Sequence, residues 1–341
     1  MVSTGTSTTH IVRDRPRLAI RTSMSVTSTR SPRGFMRRAT PWSRPRGLGG
    51  WKVLKPMSRS RNPGPWSVRC PVMGRLAEMF ARHRVTGTGA LMPFIVAGDP
   101  TLGDLPALLQ ALESAGADAV EIGIPFSDPI ADGPLIAAAM HAALGRGTRV
   151  ESVLERVRDC RDSIRLPLLA MVSVSIVDRL GGATFIEALS DAGFDGVIVP
   201  DADLDTIEPL VAAAEAADIG FSTLLAPDTS PERAARIAST AREFLYLLAR
   251  RGITGERGDA PDLEGRVGRI REITALPLAA GFGISSAEHV ATVVRDADGA
   301  IVGSALVRAI GEAVSSGEDL ADAVVRFVEP LATAAHRSNP S

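Results

Sequence analysis

Eight short apolar runs of β character recur between residues 91 and 302, separated by stretches with helical periodicity. The runs are 91–96, 118–123, 167–172, 195–199, 221–226, 243–248, 277–280 and 299–302. The amphipathic stretches are 103–116, 150–163, 182–192, 206–217, 231–241, 262–273 and 286–296. Strands that alternate with helices in this way build a parallel sheet. Eight units in about 250 residues match the (β/α)8 or TIM barrel. A doubly wound sheet needs fewer strands and a Gly-rich first turn, whereas the first run here ends in Ala97-Gly98-Asp99-Pro100. The pattern therefore predicts an α/β protein, a (β/α)8 barrel domain over 73–341, with residues 74–83 as a plug helix closing the barrel bottom.

Charge divides the chain sharply. Residues 1–72 hold 15 of the 38 Lys/Arg and a single acid, Asp14, so the rest carries 23 basic and 38 acidic groups. Trp42, Trp51 and Trp66 all lie in this first part, which is rich in Ser, Thr, Arg and Pro. Such a segment cannot bury a core and is expected to be a disordered basic extension. It reads as a nucleic-acid arm, as an organelle targeting segment, or as sequence upstream of a true start at Met73. The last is favoured, because everything after Met73 makes sense without it. Cys70 and Cys160 are the only cysteines, too few for a disulfide framework or a Cys/His zinc pattern. No apolar stretch reaches membrane-spanning length. A cytoplasmic protein with neither membrane nor nucleic-acid partners is expected.

In a (β/α)8 barrel the chemistry sits where strands end at the C-terminal face. The second strand leads into Val120-Glu121-Ile122-Gly123-Ile124-Pro125-Phe126-Ser127-Asp128-Pro129-Ile130-Ala131-Asp132-Gly133-Pro134. A carboxylate inside an apolar strand is costly unless paired or neutral, which marks Glu121 as a chemical group. Asp132, in a Pro/Gly-broken loop, reads either as its partner or as a turn residue before Gly133-Pro134. Strand one offers Phe94 and Asp99, and strand six offers Tyr246. Gly281-Phe282-Gly283-Ile284-Ser285-Ser286 follows strand seven and Gly303-Ser304 follows strand eight, each opening a helix. Glycines at a helix N-terminus suit a phosphate, and barrels often bind phosphate after these two strands. Ser285, Ser286 and Ser304 read alternatively as plain helix caps. No Walker-type lysine accompanies them, which disfavours a nucleoside triphosphate.

These motifs resemble the tryptophan synthase α chain family from about Met73 to Ala335. The resemblance rests on Pro93-Phe94, Gly98-Asp99-Pro100, the Glu121–Pro134 string and Tyr246-Leu247-Leu248, then on Gly252-Ile253-Thr254-Gly255, Gly281–Ser285 and Gly303-Ser304, in the family's order and spacing. It implies retro-aldol cleavage of indole-3-glycerol phosphate to indole and glyceraldehyde 3-phosphate, without metal or cofactor in this chain. It also implies an αββα heterotetramer in which indole passes to a β subunit carrying pyridoxal phosphate. Glu121 is then the general acid and base. Asp132, in a more polar loop, stays ionised and holds the indole N–H. Phe94, Met171, Tyr246, Leu248 and Phe282 line the indole cleft, though each also reads as barrel core. Gly283, Gly303 and Ser304 hold phosphate, and Thr254 with Gly255 belongs to a closing loop over 250–261.

The chain departs from the family at two strand ends. Met171-Val172-Ser173-Val174-Ser175 stands where Met-x-Tyr-x-Asn is usual, and Pro200-Asp201-Ala202-Asp203 where Pro-Asp-Leu-Pro is usual. Both regions bear on the β contact in the family. The open readings are an α subunit, a stand-alone indole-3-glycerol-phosphate lyase, and a degenerate barrel kept as an allosteric subunit of a β chain.

Overall fold

The computed structural model describes residues 74–129, 132–249, 263–281 and 283–337; the expected extension over 1–72 lies outside them. Eight strands run β1 (Ala90–Val96), β2 (Val120–Gly123), β3 (Leu168–Met171), β4 (Gly196–Ile198), β5 (Gly220–Leu225), β6 (Leu245–Leu248), β7 (Leu278–Gly281) and β8 (Gly299–Val302). They close into a barrel in chain order, every neighbouring pair parallel. The expected (β/α)8 barrel is the fold, and all eight apolar runs are its staves.

Side chains alternate across each strand. On β1, Leu91 and Ile95 join the outer core beneath the helices, whereas Ala90 and Met92 face the barrel interior. The expected plug is helix α1 (Arg75–Thr86). Its Leu76, Met79 and Phe80 fill the interior's lower end against Met92, Leu169 and Phe244. The Phe80 and Phe244 rings meet at 5.6 Å, tilted by 48°, a favourable aromatic arrangement.

The seven amphipathic stretches become α2 (Leu105–Ser114), α4 (Val150–Cys160), α6 (Gly182–Ala192), α7 (Leu204–Ala216), α8 (Pro231–Thr240), α9 (Glu264–Arg271) and α10 (Ala287–Asp296). Helix α11 (Ser304–Ser316) opens at the expected Gly303-Ser304. Periodicity passed over α3 (Pro134–Gly145), α5 (Val174–Leu180) and α12 (Leu320–Ala335). Helix α3 is Ala-rich and lacks a strong polar face, α5 has only seven residues, and α12 carries an internal Pro330. Each weakens the helical signal for its own reason.

The two departures from the family pattern have local structural roles. Ser173 caps α5, accepting the Ser175 N–H, and Asp203 caps α7, accepting the Thr206 N–H.

Three aspartates pin the barrel floor. Asp118, Asp195 and Asp298 stand just before β2, β4 and β8, and accept the backbone N–H groups of Leu91, Leu168 and Leu278 at 2.9, 2.8 and 2.7 Å. Each carboxylate also takes a guanidinium, from Arg82, Arg161 and Arg271 respectively. Charge-assisted bonds of this kind fix where one strand starts against the next. No described helix is long and apolar enough to cross a membrane.

Candidate active site

A cavity of about 320 Å³ opens at the C-terminal ends of the strands, the end where barrel enzymes place their chemistry. Its wall is mostly apolar. Phe94, Met171 and Leu248 line it, joined by Ile124, Ile136, Met140, Leu224 and Ile301.

Glu121 reaches this cavity from the middle of β2, in register with Phe94 on one side and Leu169 on the other. It is 0 % exposed. Neither carboxyl oxygen has a hydrogen-bond partner among the described residues. Burial without compensation holds its pKa well above the usual carboxylate range. A group in that condition keeps its proton near neutral pH and has it ready to give.

Asp132 lines the same cavity and is half-buried. Its carboxyl is pushed up to about 6, first by burial and then by the like charge of Asp201. Asp132 is still mainly ionised above pH 6. Asp201 is held in the cavity wall by the Ser173 hydroxyl at 2.7 Å and the Val174 N–H at 2.8 Å. Neither Ser173 nor Asp201 was singled out as a site residue by sequence. Asp201 was nonetheless reachable, because it stands three residues past the end of β4.

Tyr246 is buried within the cavity wall on β6. Its phenol is raised well above its ordinary value, first by burial. The ring packs where only glycine fits beside it: a Cβ on Gly281 would lie 2.3 Å from the Tyr246 hydroxyl oxygen. Gly123 plays the same part for Phe94, with a Cβ position 2.6 Å from the ring. These two glycines leave the rings room at the cavity's base.

Gly283, Gly303 and Ser304 also line the cavity. Gly283 has φ +80°, a conformation that favours glycine. Ser304 is the first residue of α11, so that helix directs its N-terminus at the cavity. The cap reading holds for Ser286, whose hydroxyl accepts the His289 N–H. Asp99 lies outside the cavity lining and pairs with Arg146 at 2.8 Å. Thr254, Gly255 and Phe282, with the loop over 250–261, lie outside the described residues.

The family model "Tryptophan synthase alpha chain" matches residues 80–336. The chain belongs to the tryptophan synthase alpha chain family. It is 40% identical over 266 residues to the alpha chain of Thermosynechococcus vestitus, covering 77% of this chain and 98% of that one. The alpha chain of Acidithiobacillus ferrooxidans is 42% identical over 264 residues, covering 77% and 97%. Among solved structures, a chain of Mycobacterium tuberculosis tryptophan synthase superposes with TM-score 0.70 at 33% identity, covering 77% of this chain and 99% of that one. The Legionella pneumophila alpha subunit gives TM-score 0.71 at 31% identity, covering 77% and 98%. The function that goes with the family is that of a tryptophan synthase α subunit, a lyase of tryptophan biosynthesis.

Proposed function

We propose that Glu121 and Asp132 carry the retro-aldol cleavage of indole-3-glycerol phosphate in the cavity described above. Protonated Glu121 gives its proton to indole C3, which makes the ring system a cationic leaving group. The resulting carboxylate takes the proton of the side-chain hydroxyl next to C3. That oxygen becomes the aldehyde carbonyl as the carbon–carbon bond breaks, and the bonding pair returns to the indole ring. Indole and glyceraldehyde 3-phosphate leave, and Glu121 is again protonated. Ionised Asp132 faces the indole N–H and stabilises the positive charge that develops there. Two carboxyls in one cavity, one holding its proton and one losing it, divide the acid and anionic roles.

The apolar wall formed by Phe94, Met171, Tyr246 and Leu248 takes the indole ring. The phosphate goes to Gly283, Gly303, Ser304 and the N-terminus of α11, where backbone N–H groups and the helix dipole favour an anion. Thr254, Gly255 and Phe282 complete the site as closing-loop and cleft residues. The observation that carries this reading is the fully buried Glu121, without a partner among the described residues, facing an apolar cavity shared with Asp132.

The likeness to the chain of Mycobacterium tuberculosis tryptophan synthase supports an α subunit that hands its indole to a β subunit carrying pyridoxal phosphate, in an αββα assembly. The test is indole release from indole-3-glycerol phosphate by the purified protein, with and without the β chain of its own genome. Release that rises strongly with the β chain is expected. Fast release that ignores the β chain would instead make this a stand-alone lyase.

A further inference from the structure

At the opposite end of the barrel, three side chains from distant parts of the sequence converge on one point. His83 comes from the last turn of α1, Asp118 from the segment entering β2, and His336 from the C-terminal cap of α12. The Nε2 of His83 lies 2.8 Å from one oxygen of Asp118, and the Nε2 of His336 lies 2.7 Å from the other. The three donor atoms lie within 4.8 Å of one another. The two imidazole rings stack, with centroids 5.4 Å apart and planes 26° from parallel.

We propose that His83, Asp118 and His336 form a structural binding site for a divalent transition-metal ion of the zinc class. The donor set decides the class. Two imidazoles and one carboxylate suit Zn²⁺, Co²⁺, Ni²⁺ or Cu²⁺, whereas Mg²⁺ and Ca²⁺ favour all-oxygen sites. Three protein ligands leave a fourth position for water.

The surroundings orient the ligands as such a site requires. Metal-bound histidines commonly anchor their other ring nitrogen on a neighbouring group. Here the Nδ1 of His83 is 2.8 Å from the Thr88 hydroxyl, which leaves Nε2 to face Asp118. The Asp118 carboxylate is itself held by the Leu91 N–H at 2.9 Å. Tetrahedral bonds of about 2.1 Å to a metal place donor atoms about 3.4 Å apart. The two N···O contacts, at 2.8 and 2.7 Å, must therefore open by roughly 0.6 Å. His336 supplies that movement, because it stands at a helix end with its side chain 37% exposed, and its exposure also provides the entry path. Arg82, 3.3 Å from Asp118 and 63% exposed, is free to swing into solvent as the cation arrives.

Such an ion ties the first and last helices of the barrel to the start of its second strand. Its ligands are 35 and 218 residues from Asp118 along the chain, which is why no spacing motif announces them. Without an ion, the same imidazoles serve as N–H donors to the carboxylate.

The test uses the full-length chain, stripped with a chelator and titrated with CoCl₂ or ZnCl₂ alone. Wild type is expected to bind one Co²⁺ with the visible absorption of a low-symmetry imidazole site. At a hundredfold excess over the dissociation constant, its melting midpoint should rise by about 5 °C. His336→Gln is expected to lose both signals while releasing indole at the wild-type rate. Absence of a metal-dependent signal in wild type overturns the proposal and leaves a hydrogen-bonded clasp. A signal that persists in His336→Gln overturns it as well, because the ion then sits elsewhere.

Discussion

Two carboxyl groups three residues apart on one strand segment meet opposite fates. Asp118, at the floor, is bonded by His83, His336, Arg82 and the Leu91 N–H; burial pushes its pKa up, but the imidazoles of His336 and His83 hold it far below the ordinary carboxylate range. Glu121, three residues further on, has no partner among the described residues and keeps its proton. Burial is similar at 7% and 0% exposure, so burial alone does not decide what an acid does. Partners decide it. A satisfied carboxylate is an anchor, whereas an unsatisfied one is a reagent whose cost the fold tolerates for chemistry.

The contrast breaks most visibly at Glu121 itself. Glu121→Gln should lower turnover of indole-3-glycerol phosphate by about 10²–10⁴-fold while leaving the melting midpoint near wild type, since a neutral amide replaces a neutral acid. A variant that unfolds instead would move Glu121 to the anchoring side. Asp118→Asn should do the reverse. Losing the charge that its partners complement should cost about 3 kcal/mol of stability, read by denaturant unfolding, with turnover per folded molecule unchanged.

A third acid sharpens the comparison. Glu243 on the floor is pushed up to about 7, mainly by burial and then by the charges of Asp195 and Asp218. A folded-state pKa above the unfolded value near 4.5 means that stability is fullest below about pH 4.5 and is lost as pH rises towards 7. Glu243→Gln should therefore stabilise the protein by roughly 2 kcal/mol at about pH 8 and by almost nothing at about pH 4. Equal effects at both pH values would show that the floor does not hold Glu243 protonated. The smallest effect belongs to Asp201. Activity that needs ionised Asp132 should fall as pH drops through about 6. Asp201→Asn removes the neighbouring negative charge, so the acid limb of the kcat/KM profile should move to lower pH. An unmoved limb would detach Asp201 from the site's electrostatics.

The parts of this molecule that were legible in the sequence are local. Each stave of the barrel is a short apolar run, and Glu121 stands out because it interrupts one. Asp132 was visible through the same continuous string, but its surroundings were not. The like charge of Asp201 comes from a different strand end, which no local string shows. The Ser173–Asp201 bond needs the closed barrel to exist, as does the meeting of His83, Asp118 and His336. Helix α3 escaped because an Ala-rich segment gives little contrast between its faces. Apart from such weakly patterned helices, what sequence reading missed depends on residues brought together across the barrel.

The central claim is that Glu121 stands protonated in its cavity at a pH where ordinary carboxyls have ionised. Infrared difference spectroscopy of wild type against Glu121→Gln, at about pH 8, reads this directly through the carbonyl stretch of a protonated acid. The account predicts such a band in wild type that vanishes in the variant. A difference spectrum showing only the carboxylate bands of an ionised Glu121 would contradict it.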